Sequence, residues 1–166
     1  MDNTLLAARS VAPDTKTVYV DYDPIVVAYS KYLLAEETDD SVAFLQGDFH
    51  DPQDVIERAS KTLDFSQPIG LILFGMLHFI DDREHGAQVL AAYLDAMPSG
   101  SFVAVSHFAL DEQDTGMNAA LDAMDQKFGE AVVCRTRAEV GWFFEGMDLN
   151  ERPDEAVPVA GSRTDL

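Results

Sequence analysis

Cysteine occurs once, at Cys134, tryptophan once, at Trp142, and lysine and arginine together supply only 11 of 166 residues. A lone cysteine excludes an intrachain disulfide and fits a reducing compartment. The four histidines have no tight ligand spacing, so no zinc site is expected. Against 30 acids, the few bases leave a formal net charge of −19, a field that repels phosphate backbones and anionic membranes. Nucleic acid and membrane surfaces are therefore not the expected partners. The longest apolar run, Ile69 to Leu77, is too short to span a bilayer. Asp2 and the absence of a basic opening stretch do not read as a signal peptide, and the expected location is the cytoplasm. A Gly-rich phosphate loop, a GxSxG elbow and a Ser-His-Asp order are also missing.

What is present is an ordinary globular composition, 47% hydrophobic and 25% charged, at a length that suits one domain over 1–166. Asp2-Asn3-Thr4 followed by LLAARSVA reads as a capped, Ala/Leu-rich helix ending near Pro13. The spacing then predicts a strand over Thr17–Val20 and a helix over Pro24–Ala35, with Ile25, Ala28, Tyr29, Tyr32 and Leu33 on one face. A strand over Ser41–Gln46 precedes a helix from Asp51-Pro52 to Leu63. Ile69–Phe74 reads as a strand buried on both faces, and Phe102–Ser106 as another buried strand, with a helix over Glu84–Met97 between them. The remaining expectations are a helix over Met117–Phe128, a strand over Ala131–Cys134, a helix over Arg137–Phe144, and weak strands at Met147–Leu149 and Val157–Ala160. Strands alternating with helices of this length form βαβ units, hence an α/β fold with a mainly parallel sheet.

In such sheets ligands sit beyond the carboxyl ends of the strands, so the residues just after each strand are the ones to inspect. They are Asp21 and Asp23, then Gly47-Asp48-Phe49, then Gly75 to His78, then Ser106-His107. A carboxylate at the end of one strand can accept both hydroxyls of a ribose, and a second can accept from an adenine amino group beside Phe49. Simpler roles compete. Asp23 is well placed to cap the helix at Pro24, whereas Asp21, two residues earlier, suits the ribose. Asp48 suits either adenine or a cap for the helix beginning near Asp51. His78 by itself reads as a buried, hydrogen-bonded histidine before it reads as pocket lining. Cys134 and the Trp142-Phe143-Phe144 cluster read as core packing.

Taken in order, VYVDYDPIVVAYSKYLL, AFLQGDFHDP, LDFSQPIGLILFGMLHFI, GSFVAVSH and RTRAEVGWFFEGMDL resemble successive blocks of a family of actinobacterial S-adenosylmethionine-dependent methyltransferases. The resemblance covers nearly the whole chain. It implies a class I, Rossmann-like three-layer sandwich, mostly parallel, with a C-terminal antiparallel strand. It also implies that Asp21 binds the ribose hydroxyls of S-adenosylmethionine and that Asp48 and Phe49 read its adenine. Gly75, Met76, Leu77 and His78 would line the methionine and methyl-transfer side. The implied chemistry is displacement of a methyl group from a sulfonium, which depends on proximity and alignment more than on a conspicuous triad.

One departure bears on function. In the family a first strand and an acidic glycine loop precede the first helix, and here the residues from Met1 already read as that helix. The expectation is an N-terminally shortened chain that binds S-adenosylmethionine weakly or not at all, its first strand and glycine loop missing. The leading reading is a methyltransferase acting on a small-molecule acceptor. The alternative is a non-catalytic Rossmann-like remnant that works through protein contacts, with a homodimer partner completing the sheet. A nucleotide-binding oxidoreductase domain, also suited by acids after strands, is a third.

Overall fold

The computed structural model describes residues 3–35, 39–80, 82–107, 132–150 and 159–163. They fall into two compact units, 1–66 and 67–166, each with its own sheet.

The first unit begins with α1 (Thr4–Val11), capped by Asn3, whose side chain accepts from the Leu6 amide. Another amide of its first turn, Leu5 N–H, donates to the Tyr19 hydroxyl at 3.1 Å, so β1 (Thr17–Asp21) caps the same helix from the sheet. β1 pairs in parallel with β2 (Val42–Gln46), Tyr19 opposite Phe44, and these two rings stack at 5.1 Å. Leu5, Val27, Val42 and Phe44 close the core, with Tyr19 and Leu34 packed against it. Between the strands runs α2 (Pro24–Leu33), with Pro24 in its first turn and Asp23 at its N-cap. Its expected face points outward: Ile25, Tyr29, Tyr32 and Leu33 are exposed, and the buried residue is Val27 on the opposite side. After β2, Asp51 caps α3 (Pro52–Ala59) by accepting from the Asp54 amide.

The second unit holds β3 (Gly70–Phe74), β4 (Phe102–Ser106), β5 (Met147–Asn150) and β6 (Val159–Arg163), in the order β3-β4-β6-β5. β3 and β4 are parallel, with Gly70 opposite Phe102; β6 is antiparallel to both β4 and β5. α4 (Arg83–Ala96), capped by Asp82, connects β3 to β4 and buries Gly86, Val89, Leu90, Tyr93 and Leu94. α5 (Arg137–Gly141) opens with a capping box between Thr136 and Glu139, then tightens into a 3₁₀ turn over Trp142–Phe144 that buries Phe143 and Phe144. Arg83 lies over the Trp142 ring at 4.1 Å, which ties α4 to this turn.

Two expectations need correction. β3 is not buried on both faces: Leu73 is 5% exposed, but Ile72 and Phe74 are 46% and 55% exposed. In the parallel register they share a face with Phe102, itself half exposed, while Leu73, Val103 and Val105 form the buried face. The strand therefore follows the one-sided alternation of a half-covered sheet, although its sequence is continuously apolar. Val132–Cys134 is no strand either: in this segment only Arg135 makes an isolated bridge, and Val133 N–H donates to the His78 carbonyl at 2.8 Å. The expected helix over Met117–Phe128, residue Ala131 and residues 157–158 lie outside the described residues.

Candidate functional site

In the first unit the carboxyl ends of β1 and β2 lie side by side, since Gly47 N–H donates to the Asp21 carbonyl at 3.0 Å. That bond continues the ladder past the last strand pair and brings Asp21 and the segment Gly47-Asp48-Phe49 to one sheet end. Asp21 Oδ1 accepts from the Asp23 amide at 2.9 Å, which fixes the carboxylate at the turn and leaves Oδ2 to meet a donor. Asp23 Oδ1 accepts from Ile25 N–H at 2.7 Å, the N-cap bond of α2, so the two acids have separate tasks.

Asp48 does not cap α3, a position Asp51 holds. Its Oδ1 accepts from the His50 amide at 2.8 Å and lies 3.0 Å from His50 Nδ1. The His50 amide chiefly holds the Asp48 carboxyl below the ordinary value; burial opposes it, and the His50 ring adds to the lowering. Phe49 meets the His50 ring edge-on at 5.8 Å. Gly47 is the close-approach point of this end: a Cβ there would lie 3.2 Å from Val20 Cγ1 and 3.2 Å from Val55 Cγ2.

In the second unit the equivalent end belongs to β3 and β4. Gly75 has φ +67°, a left-handed conformation that a side chain disfavours, and its N–H reaches both the Ser106 hydroxyl (3.0 Å) and the Ser106 carbonyl (3.4 Å). Met76 follows, and Leu77–Phe79 form a 3₁₀ turn with Leu77 and His78 buried. Sequence reasoning did not find what holds this turn. Arg135, 5% exposed, donates to the Leu77 carbonyl at 2.9 Å and to the Ile80 carbonyl. Its guanidinium also lies 3.3 Å from His107 Nε2. Arginine has no acceptor, so His107 receives that hydrogen bond on Nε2 and carries its proton on Nδ1. The rings of His78 and His107 meet edge to face at 5.8 Å. Burial first, then the neighbouring His107 and Arg135, lowers the His78 pKa from 6.5 to about 4, so the ring is neutral at physiological pH. In the sequence Arg135 is one of few bases with no periodicity around it, and nothing marks it as a partner of residues 58 positions earlier.

Asp21, Asp48 and Phe49 thus share one sheet end, and Gly75, Met76 and His78 another. Among the described residues no cluster of three or more His, Cys, Asp or Glu could hold a metal ion, and no helix is long and apolar enough to cross a membrane.

Acids just after parallel strands suit an adenosine cofactor. Residues 1–160 match the family model for S-adenosyl methyltransferase. The chain belongs to that family. Its solved relatives include a DUF574 family protein from Streptomyces avermitilis, 26% identical with a TM-score of 0.85, where the match covers 98% of this chain and 70% of the relative. A second, assigned as a methyltransferase and from Thermobifida fusca, is 29% identical with a TM-score of 0.83, the match covering 99% of this chain and 68% of the relative. An O-methyltransferase of neocarzinostatin biosynthesis, solved with S-adenosyl-L-homocysteine and 1,4-dihydroxy-2-naphthoic acid, shares the fold at a TM-score of 0.61 and 20% identity; the match covers 96% of this chain and 45% of that one. No curated protein matches the chain. This methyltransferase relative therefore has the α/β fold of its family, with parallel strands alternating with helices, and its family uses S-adenosylmethionine.

Proposed function

We propose that this chain is a methyltransferase domain over 1–166 that holds the adenosine of S-adenosylmethionine at the β1/β2 end and transfers the methyl group to a small-molecule acceptor. The observation that carries the reading is the Gly47–Asp21 bond, which sets a fixed carboxylate and the Asp48-Phe49 pair at one sheet end in a chain of this family. Asp21 would accept from the ribose hydroxyls. Asp48, held ionised by His50, would accept from the adenine amino group, with Phe49 against the ring. By the family resemblance Gly75, Met76 and His78, which follow β3, would line the methionine side. There the neutral His78 adds no charge that would oppose a sulfonium.

When bound, the cofactor supplies an activated methyl group; the acceptor supplies the electron pair and loses its proton afterwards. The protein's part is to hold the two in line and keep water out, which asks for shape more than for a strong base. The acceptor is read as a small molecule because a charge of −19 disfavours nucleic acid, and a cytoplasmic location fits the single cysteine.

The test is saturation-transfer NMR with S-adenosyl-L-homocysteine, which registers weak binding. Transfer to the adenine and ribose protons is expected in the unmodified chain and is expected to vanish in Asp21→Ala. No transfer to the folded chain, or equal transfer in the variant, would overturn the reading. No transfer to the folded chain, in which β1 and β3 each have one ladder neighbour among the described strands, would favour the alternative, a remnant acting through protein contacts.

A further inference from the structure

Among the described helices the outward face of α2 has no counterpart. At 100° per residue, Ile25, Val26, Tyr29, Tyr32 and Leu33 fall within an arc of about 120°. They are 75%, 43%, 61%, 77% and 58% exposed, while Val27 on the far side is 8% exposed. A helix with apolar residues on both faces is ordinarily covered on both. This one carries a single charge, Lys31, which falls outside the arc, and no acid from Pro24 to Leu33, in a chain where 30 of 166 residues are acidic.

We propose that α2 is a self-association surface, pairing antiparallel with α2 of a second copy about a two-fold axis at Tyr29. An isologous pair needs a stripe that complements itself when reversed, and this one does. Tyr29 meets the partner's Tyr29, Ile25 meets the partner's Leu33, and Val26 meets the partner's Tyr32. The exposed stripe offers on the order of 700 Å² per copy, taking a whole tyrosine as ~200 Å². Adding Tyr22, 69% exposed just before the helix, brings it to the ~800 Å² per partner of a stable interface. A charged partner finds nothing to complement on this stripe, whereas the same stripe on another copy is uncharged, aromatic-rich and present at equal concentration. The proposal does not depend on methyl transfer.

Sedimentation equilibrium of the full chain tests it. A reversible dimer is expected at micromolar concentration, tightening as salt rises, because screening relieves the repulsion between two strongly negative chains. Ile25→Lys and Tyr29→Lys should each raise the dimer dissociation constant about 30-fold or more. Both substitutions lower the net negative charge, so a weakened dimer cannot come from added repulsion. Val11→Lys, at an 88% exposed position on α1, makes the same charge change and should leave the dimer intact. As a second measurement, Tyr29→Cys in a Cys134→Ser background should form an intermolecular disulfide across the axis on mild oxidation. A monomer under all these conditions would overturn the proposal, as would a dimer that both lysine variants leave unchanged.

Discussion

Arg135 donates to the carbonyls of Leu77 and Ile80, lies against His107 and covers the Phe143 ring at 5.2 Å. Two carbonyls after β3 thereby receive donors from a side chain, which is how a buried turn outside regular structure keeps its backbone satisfied. Arg135→Met removes those donors and should lower unfolding free energy by about 2–4 kcal/mol in a urea titration. His78 sits within the same turn and is kept neutral, chiefly by burial. Its folded pKa, about 4, lies below the unfolded value of 6.5, so between these two the unfolded chain binds more protons. The stabilisation is complete above the unfolded value and is lost as pH falls from about 6.5 through about 4, on the order of 3 kcal/mol. His78→Asn should flatten that part of the stability–pH curve measured by chemical denaturation. At Gly75 the constraint is the backbone alone: φ is +67° and a Cβ would meet only His78 at an ordinary 3.5 Å.

On the scale of elements, α4 approaches its neighbours at Gly86, where a Cβ would lie 2.6 Å from Ile80 Cγ2 and 3.0 Å from a Phe143 ring carbon. Gly86→Ala, ordinarily favourable in a helix, should here cost about 1–3 kcal/mol from overpacking, read as a lower melting temperature. The elements themselves were largely legible in the sequence. Asn3, Asp23, Asp51, Asp82 and Thr136 all stand at helix N-caps, because short polar side chains before an apolar period offer the acceptor a helix start requires. Burial was less legible. The Ile69–Phe74 run is apolar at nearly every position and gives no hint that Ile72 and Phe74 stay exposed, since exposure depends on what lies across the sheet. For α2 the period was evident but its direction was not, because apolar residues occur on both faces. The acids after β1 and β2 were found from position alone, whereas Arg135 acts over 58 residues and has no local signature.

For the molecule as a whole, the net charge of −19 and pI of about 4.2 mean that self-repulsion opposes compaction at neutral pH. Ion pairs such as Arg9–Asp39 at 3.2 Å and Arg83–Glu145 at 3.6 Å lie at or near the surface, where such pairs contribute little. Raising the concentration of a simple salt should therefore raise the melting temperature at neutral pH. A chain stabilised mainly by surface ion pairs would respond in the opposite direction.

The strand order of the second unit has a consequence for how the protein is made. β6 follows β4 and β5 in the chain, yet it lies between them, antiparallel to both. Until β6 leaves the ribosome, β5 lacks the strand it pairs with and β4 lacks its antiparallel neighbour. The first unit is different: β1 and β2 lie 25 residues apart in register, and their ladder can close early. β6 thus inserts between two strands made before it, and a chain cut short before Val159 would leave both seeking partners, a known route to aggregation.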